Sequence, residues 1–175
     1  KGFDFGDAAA IVPYLAQLGI SHVYCSPIHR ARPGSLHGYD VVAHDEISPE
    51  LGGMAAYVRF GETLRSHGMG QLIDLVPNHM GVLGADNAWW NDVLEKGQAS
   101  AYAEYFDIDW HSATPGLAGK VLLPVLGAPY GEVLARGELS VEYEARSNRW
   151  FARYFEHRLP LAPASIFGPL RDAAA

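Results

Sequence analysis

The sequence predicts an α/β fold, and three observations carry that expectation. Two helix-then-strand units follow one another, in residues 7–26 and 53–76. Each strand closes on a proline and opens into a polar loop containing histidine. The strands are short and mostly apolar, as in βα units arranged around a parallel sheet.

The elements are read in order. Residues 7–18 place Ile11, Leu15 and Leu18 at helical spacing, and Gly19 follows as a stop. Pro13 has no N–H to donate, so the helix either kinks there or starts its regular part there. Residues 22–26 form a β-prone run closed by Pro27. Residues 53–67 offer Met54, Tyr57, Val58 and Leu64 for a second helix face, with Gly61 weakening the interior and Gly68 ending it. Residues 71–76 form the next strand, closed by Pro77. After His79 the alternation stops, and residues 80–118 are rich in Gly, Ala and aromatics. Short strands are expected at 121–123, 139–143 and 149–154, the last two as a hairpin around 145–148. The chain therefore divides into residues 1–79, the βα scaffold, and residues 80–175, an irregular insertion. Two βα units cannot close a barrel, which takes about 250 residues.

The totals bound the function. With 175 residues, 49% hydrophobic and 19% charged, the chain has a globular composition and enough length for one core. A formal charge of -7 argues against nucleic acid, and a neutral, hydroxyl-rich ligand suits this surface better. No apolar run has membrane-span length and no signal-peptide pattern stands at Lys1, so no membrane partner is expected. Cys25 is the sole cysteine, which rules out an intrachain disulfide and fits a cytoplasmic protein. No metal or cofactor is expected: HExxH, Cys/His zinc spacings, GxGxxG and P-loop patterns are all missing, as is a GxSxG elbow.

Ligands of α/β folds gather at the carboxyl ends of strands, which directs attention to the loops after Ser26 and Val76. Asp74 shares a strand face with Leu72 and Val76 in an otherwise apolar segment, where an ionised carboxylate needs partners. It reads either as a structural support or as a catalytic acid or base. Asn78 and His79 lie just past the strand end, within reach of a ligand. The loop 27–40 carries His29, Arg30, Arg32, His37, Tyr39 and Asp40. Tyr39 offers a flat apolar face for a sugar ring, or else plugs the loop onto the core. Trp89 and Trp90, adjacent on a helix, point different ways, one into the core and one available as a carbohydrate platform.

Tyr24-Cys25-Ser26-Pro27, His37-Gly38-Tyr39-Asp40 and Asp74-Leu75-Val76-Pro77-Asn78-His79 occur in the order and approximate spacing of the alpha-amylase superfamily, glycoside hydrolase family 13, which the chain resembles. Residues 31–40 and Pro49-Glu50-Leu51-Gly52-Gly53 resemble one subfamily, the maltooligosyltrehalose synthases. So do residues 89–95, 106–110, 120–127 and 159–163. Ser48 and Lys96 depart from the subfamily pattern, which has Asn at both places, and Phe60-Gly61 is unusual inside its helix.

The resemblance implies a partial (β/α)8 TIM barrel containing the second and third βα units, with residues 80–175 as domain B, one wall of the cleft. It implies that Tyr39 stacks on the sugar before the scissile bond, that His79 hydrogen-bonds that sugar, and that His37 and Asp40 lie close by. Asp74 becomes a supporting carboxylate. Asn78 matches a calcium ligand of many amylases, although calcium is not general in this subfamily and no metal is expected. The implied reaction turns the reducing-end α-1,4 bond of a maltooligosaccharide into an α,α-1,1 bond, with the nucleophile and the acid/base beyond Ala175. The expected partners are then the maltooligosaccharide and the remainder of the chain's own barrel, and the isolated segment is expected to be inactive. Another superfamily hydrolase or glucanotransferase, or a non-catalytic glycan-binding protein, remain alternatives.

Overall fold

Asp4 starts the first helix, α1 (Phe5–Gln17). Its carboxylate accepts from the amides of Gly6 at 2.8 Å and Asp7 at 3.1 Å, and Asp7 accepts in return from the Asp4 amide at 3.1 Å. This reciprocal cap fixes the start well before Pro13, which lies inside the helix. The helix ends where Gly19 takes a left-handed φ of 84° and the Ile20 amide returns to the Leu15 carbonyl. The computed structural model describes residues 2–84 and 86–166. The chain divides into two units, Lys1–Val82 and Leu83–Ala175.

In the first unit α1 is followed by β1 (His22–Cys25), β2 (His29–Ala31), β3 (Val41–Ile47), α2 (Gly53–Ser66) and β4 (Gly70–Ile73). The core gathers Phe5, Val12, Ile28, Ala56, Phe60, Leu64 and Met69. The buried helix faces are partly those expected: Leu15, Tyr57 and Leu64 pack on the core, whereas Ile11 on α1, Leu18 at its C-terminal cap, and Met54 and Val58 on α2 are exposed. The faces that pack run through Phe5, Ala8, Ala9 and Val12, and through Ala56, Phe60 and Leu64. Alanines carry too little apolar weight to mark those faces in the sequence. Phe60, odd by pattern, is the anchor of the core: 2% exposed and stacked on Phe5 at 6.0 Å. Burying it contributes about 1.5–3 kcal/mol.

Strands β1 and β4 pair in parallel, with Val23 opposite Gln71, Tyr24 opposite Leu72 and Cys25 opposite Ile73. One face of the pair, Val23, Cys25 and Ile73, packs on the core. On the other, Tyr24 and Leu72 are 69% and 56% exposed. The second strand therefore stops at Ile73 rather than at Val76. The Asp74 amide adds one more bond, to the Cys25 carbonyl, and Leu75 is exposed while Val76 is buried.

The loop expected over 27–40 contains strand β2, which pairs antiparallel with β3 through a register broken on either side of Arg30. A three-residue strand of His-Arg-Ala with bulged pairing leaves no alternation to read. The pair carries residues 32–40 away from β1 and brings them back, closed at its base by the Arg32 amide on the Asp40 carbonyl.

The second unit holds α3 (Ala88–Lys96), α4 (Tyr130–Ala135) and an antiparallel meander of β5 (Leu139–Glu144), β6 (Arg149–Tyr154) and β7 (His157–Pro160). Asn87 caps α3 by accepting from the Trp90 amide at 3.0 Å. Trp90 is 6% exposed, and Trp89 stacks on Tyr102 at 5.2 Å with the rings nearly coplanar. Arg149 on β6 pairs with Glu95 on α3, and Lys96 pairs one turn back with Asp92. The hairpin turns through residues 145–148, with Asn148 at a φ of 53°. Residues 121–123 form no strand, because the apolar run finds no ladder before Pro124. Strand β7 escaped the pattern because His157, Arg158 and the terminal Pro160 do not read as β. Among the described residues no helix is long and apolar enough to cross a membrane.

Candidate functional site

The loops after β1 and β4 meet on one carboxylate. Tyr39 donates its phenol to Oδ2 of Asp74 at 2.7 Å, and Tyr24 donates to the same oxygen at 2.8 Å. Tyr24 and Asp74 lie on the open side of the β1–β4 pair, because Tyr24 is registered with Leu72 and Asp74 is two residues further along. The Tyr39 and Tyr24 donors, in that order, hold the Asp74 carboxyl below its ordinary range, against a smaller opposing effect of burial. The same hydrogen bonds are the main reason both phenols titrate above the usual tyrosine value. Asp74 is thus held as an anion, and both phenols are held as donors.

The Tyr39 backbone is pinned on both sides. Its amide donates to Nδ1 of His37 at 3.0 Å, so that nitrogen carries its lone pair. Its carbonyl accepts from Nε2 of His79 at 3.0 Å, so that nitrogen carries its proton. The His37 ring stacks on the Tyr39 ring, 6.0 Å between centroids. Asp40 accepts from the Ser35 hydroxyl, whose oxygen in turn accepts from the Gly38 amide at 3.1 Å, and Asp40 Oδ1 lies 3.9 Å from His37 Nδ1. Gly38 has a left-handed φ of 79°, and a Cβ there would stand 2.9 Å from the Pro27 carbonyl oxygen. Only glycine fits that turn, and the turn delivers Tyr39 to Asp74. Tyr39 is 45% exposed and takes no part in the core cluster of the first unit.

Tyr39, Asp74, His37 and His79 come together in one hydrogen-bonded set, with Asp40 beside His37. Asn78 is exposed beside His79. Two residues of the set escaped sequence reasoning. Tyr24 meets Asp74 across 50 positions, and only the parallel register reveals it. His44 donates from Nε2 to the Val76 carbonyl at 2.8 Å, and the Gly81 amide bonds the Val41 carbonyl at 2.8 Å. Both tie the segment carrying His79 to β3. A phenol at a strand end and a histidine within an apolar run were the available signals. Among the described residues no three His, Cys, Asp or Glu side chains converge as a metal site.

The second unit has a cleft of its own, about 370 Å³, lined by Trp90 and Phe106 with Asp107, Asp109 and Lys120.

The comparisons follow this geometry. The profile of the family described as "Alpha amylase, catalytic domain" matches residues 4–161. A Mycobacterium tuberculosis protein described as "Putative maltooligosyl trehalose synthase" is 46% identical over 149 residues, 80% of this chain and 19% of that protein. The solved maltooligosyltrehalose synthase of Arthrobacter ramosus matches with a TM-score of 0.80 at 41% identity, over 93% of this chain and 20% of that one. The type III pullulan hydrolase of Thermococcus kodakarensis matches with a TM-score of 0.55 at 33% identity, over 61% and 18%. The chain spans about a fifth of the length of the synthases it matches.

Proposed function

The chain belongs to the alpha-amylase family, as a partial (β/α)8 barrel with its second and third βα units, and from that premise we propose that it supplies a sugar-holding wall of a maltooligosyltrehalose synthase. The observation that carries this reading is the extent of the likeness. It covers 93% of this chain in the Arthrobacter ramosus synthase, against 61% in the Thermococcus kodakarensis pullulan hydrolase.

The proposed reaction is an intramolecular transglucosylation that converts the reducing-end α-1,4 bond of a maltooligosaccharide into α,α-1,1 with retention. Retention needs a nucleophilic carboxylate and an acid/base about 5–5.5 Å apart. Neither role is assigned to a residue of this chain. Asp74 is a poor general acid, because an anion stabilised by two phenols has no proton to give at neutral pH.

Its proposed role is support. Tyr39 presents its half-exposed ring to the glucosyl unit before the scissile bond, and Asp74 fixes the far end of that ring. His79 and His37 hold the Tyr39 backbone and border the same sugar, with Asp40 bracing the turn and Asn78 at its edge. Residues 80–175 are proposed as domain B, which excludes water and favours transfer over hydrolysis. A cytoplasmic location suits a chain whose one cysteine is free.

Product analysis tests the reading. Full-length protein given maltopentaose should yield a non-reducing product ending in an α,α-1,1 bond. Maltose and glucose instead would point to a hydrolase, and glycan binding without turnover to a non-catalytic protein.

A further inference from the structure

The sugar-holding reading above leaves Tyr24 unused, although it makes a contact as short as that of Tyr39. We infer that Tyr24 is a positioning residue for the glucan platform: through Oδ2 of Asp74 it fixes the carboxylate that aims the Tyr39 ring. This deepens the proposed function and rests on it.

The geometry carries the inference. Asp74 follows the last residue of β4 and is held by its backbone only through the amide bonded to the Cys25 carbonyl. Its side chain rotates about two bonds unless something outside it fixes the carboxylate plane. Tyr39 is the less rigid post, because it sits on a loop held by His37 and His79 rather than in a strand ladder. Tyr24 is the firmer one, because its backbone is locked in the parallel ladder opposite Leu72. A phenol projecting from a strand is a fixed post, and a carboxylate bonded to it becomes a fixed acceptor. Both donors choose Oδ2, leaving Oδ1 with no donor among the described residues and able to accept from a sugar hydroxyl.

The hydroxyl is the working group, so the decisive variant is Tyr24→Phe, read in full-length protein together with Asp74→Asn and the double variant. Tyr24→Phe should raise KM for maltopentaose about tenfold, the scale of one charge-assisted hydrogen bond, with kcat within about twofold and an unchanged melting temperature. In the Asp74→Asn background the same change should cost less than about twofold, because its effect passes through Asp74. A fluorotyrosine at position 39 supplies a readout independent of turnover. Its acid-side inflection, which reports Asp74 protonation, should move up when the Tyr24 hydroxyl is removed.

Equal cost in both backgrounds would overturn the inference, since Tyr24 would then act on the sugar directly. So would an unmoved inflection. If the wild-type protein makes no α,α-1,1 product, the functional reading fails by itself. The fluorine inflection then still decides whether Tyr24 sets Asp74.

Discussion

His79 donates from Nε2 to the carbonyl oxygen of Tyr39 at 3.0 Å, joining positions 40 residues apart. The bond links the loop after β4 to the loop after β1, so the two strand ends present one surface rather than two. Replacing His79 with alanine should free the Tyr39 backbone while leaving its phenol on Asp74. In the full-length protein the expected result is a loss of maltooligosaccharide affinity of about fivefold to tenfold, measured by calorimetry, with a melting temperature near that of wild type.

Tyr39→Ala separates platform from plug. The ring is half-exposed and outside the core, so its loss should cost under about 1 kcal/mol of stability. The same change should lower kcat/KM on maltopentaose by about 100-fold, because a misplaced sugar loses the reactive geometry. A large stability loss with unchanged kinetics would return Tyr39 to a structural role.

The Tyr24–Asp74–Tyr39 set has limits at both ends of the pH scale. Both phenols titrate above the ordinary value, chiefly through their bonds to Asp74. The contribution of those bonds is complete below about pH 10 and is lost as pH rises through the raised phenol values. Asp74 titrates below its ordinary value, so on the acid side its contribution is present above about pH 4 and is lost as pH falls through the depressed value. Of the nine tyrosines, Tyr24 and Tyr39 should therefore ionise late in an ultraviolet titration. Asp74→Asn should return both toward the ordinary range.

Two glycines should respond with opposite signs. Gly38→Ala forces a Cβ against the Pro27 carbonyl at a left-handed φ, and should cost about 1–3 kcal/mol along with sugar affinity. Gly61 sits inside α2 with nothing within 4 Å of a Cβ built there. Gly61→Ala should stabilise by about 0.5–1 kcal/mol. Denaturant midpoints of the two variants check both signs.

His29 gives the first unit an acid sensitivity. Its titration is pushed down by burial first and by His44 second, the two rings being 6.2 Å apart. A base with a depressed folded value stabilises fully above its unfolded value, about 6.5, and loses that contribution as pH falls through the folded one. His29→Gln should flatten the fall of melting temperature between pH 7 and pH 5. A slope equal to that of wild type would assign the acid sensitivity elsewhere.

The α/β class was legible because capped helices and short apolar strands are local patterns. Helices near 5–17 and 53–66 and the 139–154 hairpin lie close to where the sequence places them. The buried faces were legible only in part: Leu15, Tyr57 and Leu64 pack as expected, Ala8, Ala9 and Ala56 pack without signalling, and Ile11 and Met54 signal without packing. Strand β2 was hidden by bulged pairing and polar residues, and residues 121–123 misled because an apolar run without a partner is not a strand. In the site, Tyr39, His37 and His79 announce themselves through loop motifs. Tyr24 and His44 do not, because their partners, Asp74 and Val76, are distant in sequence and close only in the fold.

Tyr39 and His79 are proposed to hold a sugar, with Asp74 supporting them and taking no part in bond cleavage. A structure of the full-length protein with a bound maltooligosaccharide decides this. The expected result is a glucosyl ring against the face of Tyr39, with His79 in hydrogen-bonding reach and Asp74 still bonded to both phenols. A sugar seated away from Tyr39 and His79, or Asp74 turned toward the anomeric carbon, would contradict it.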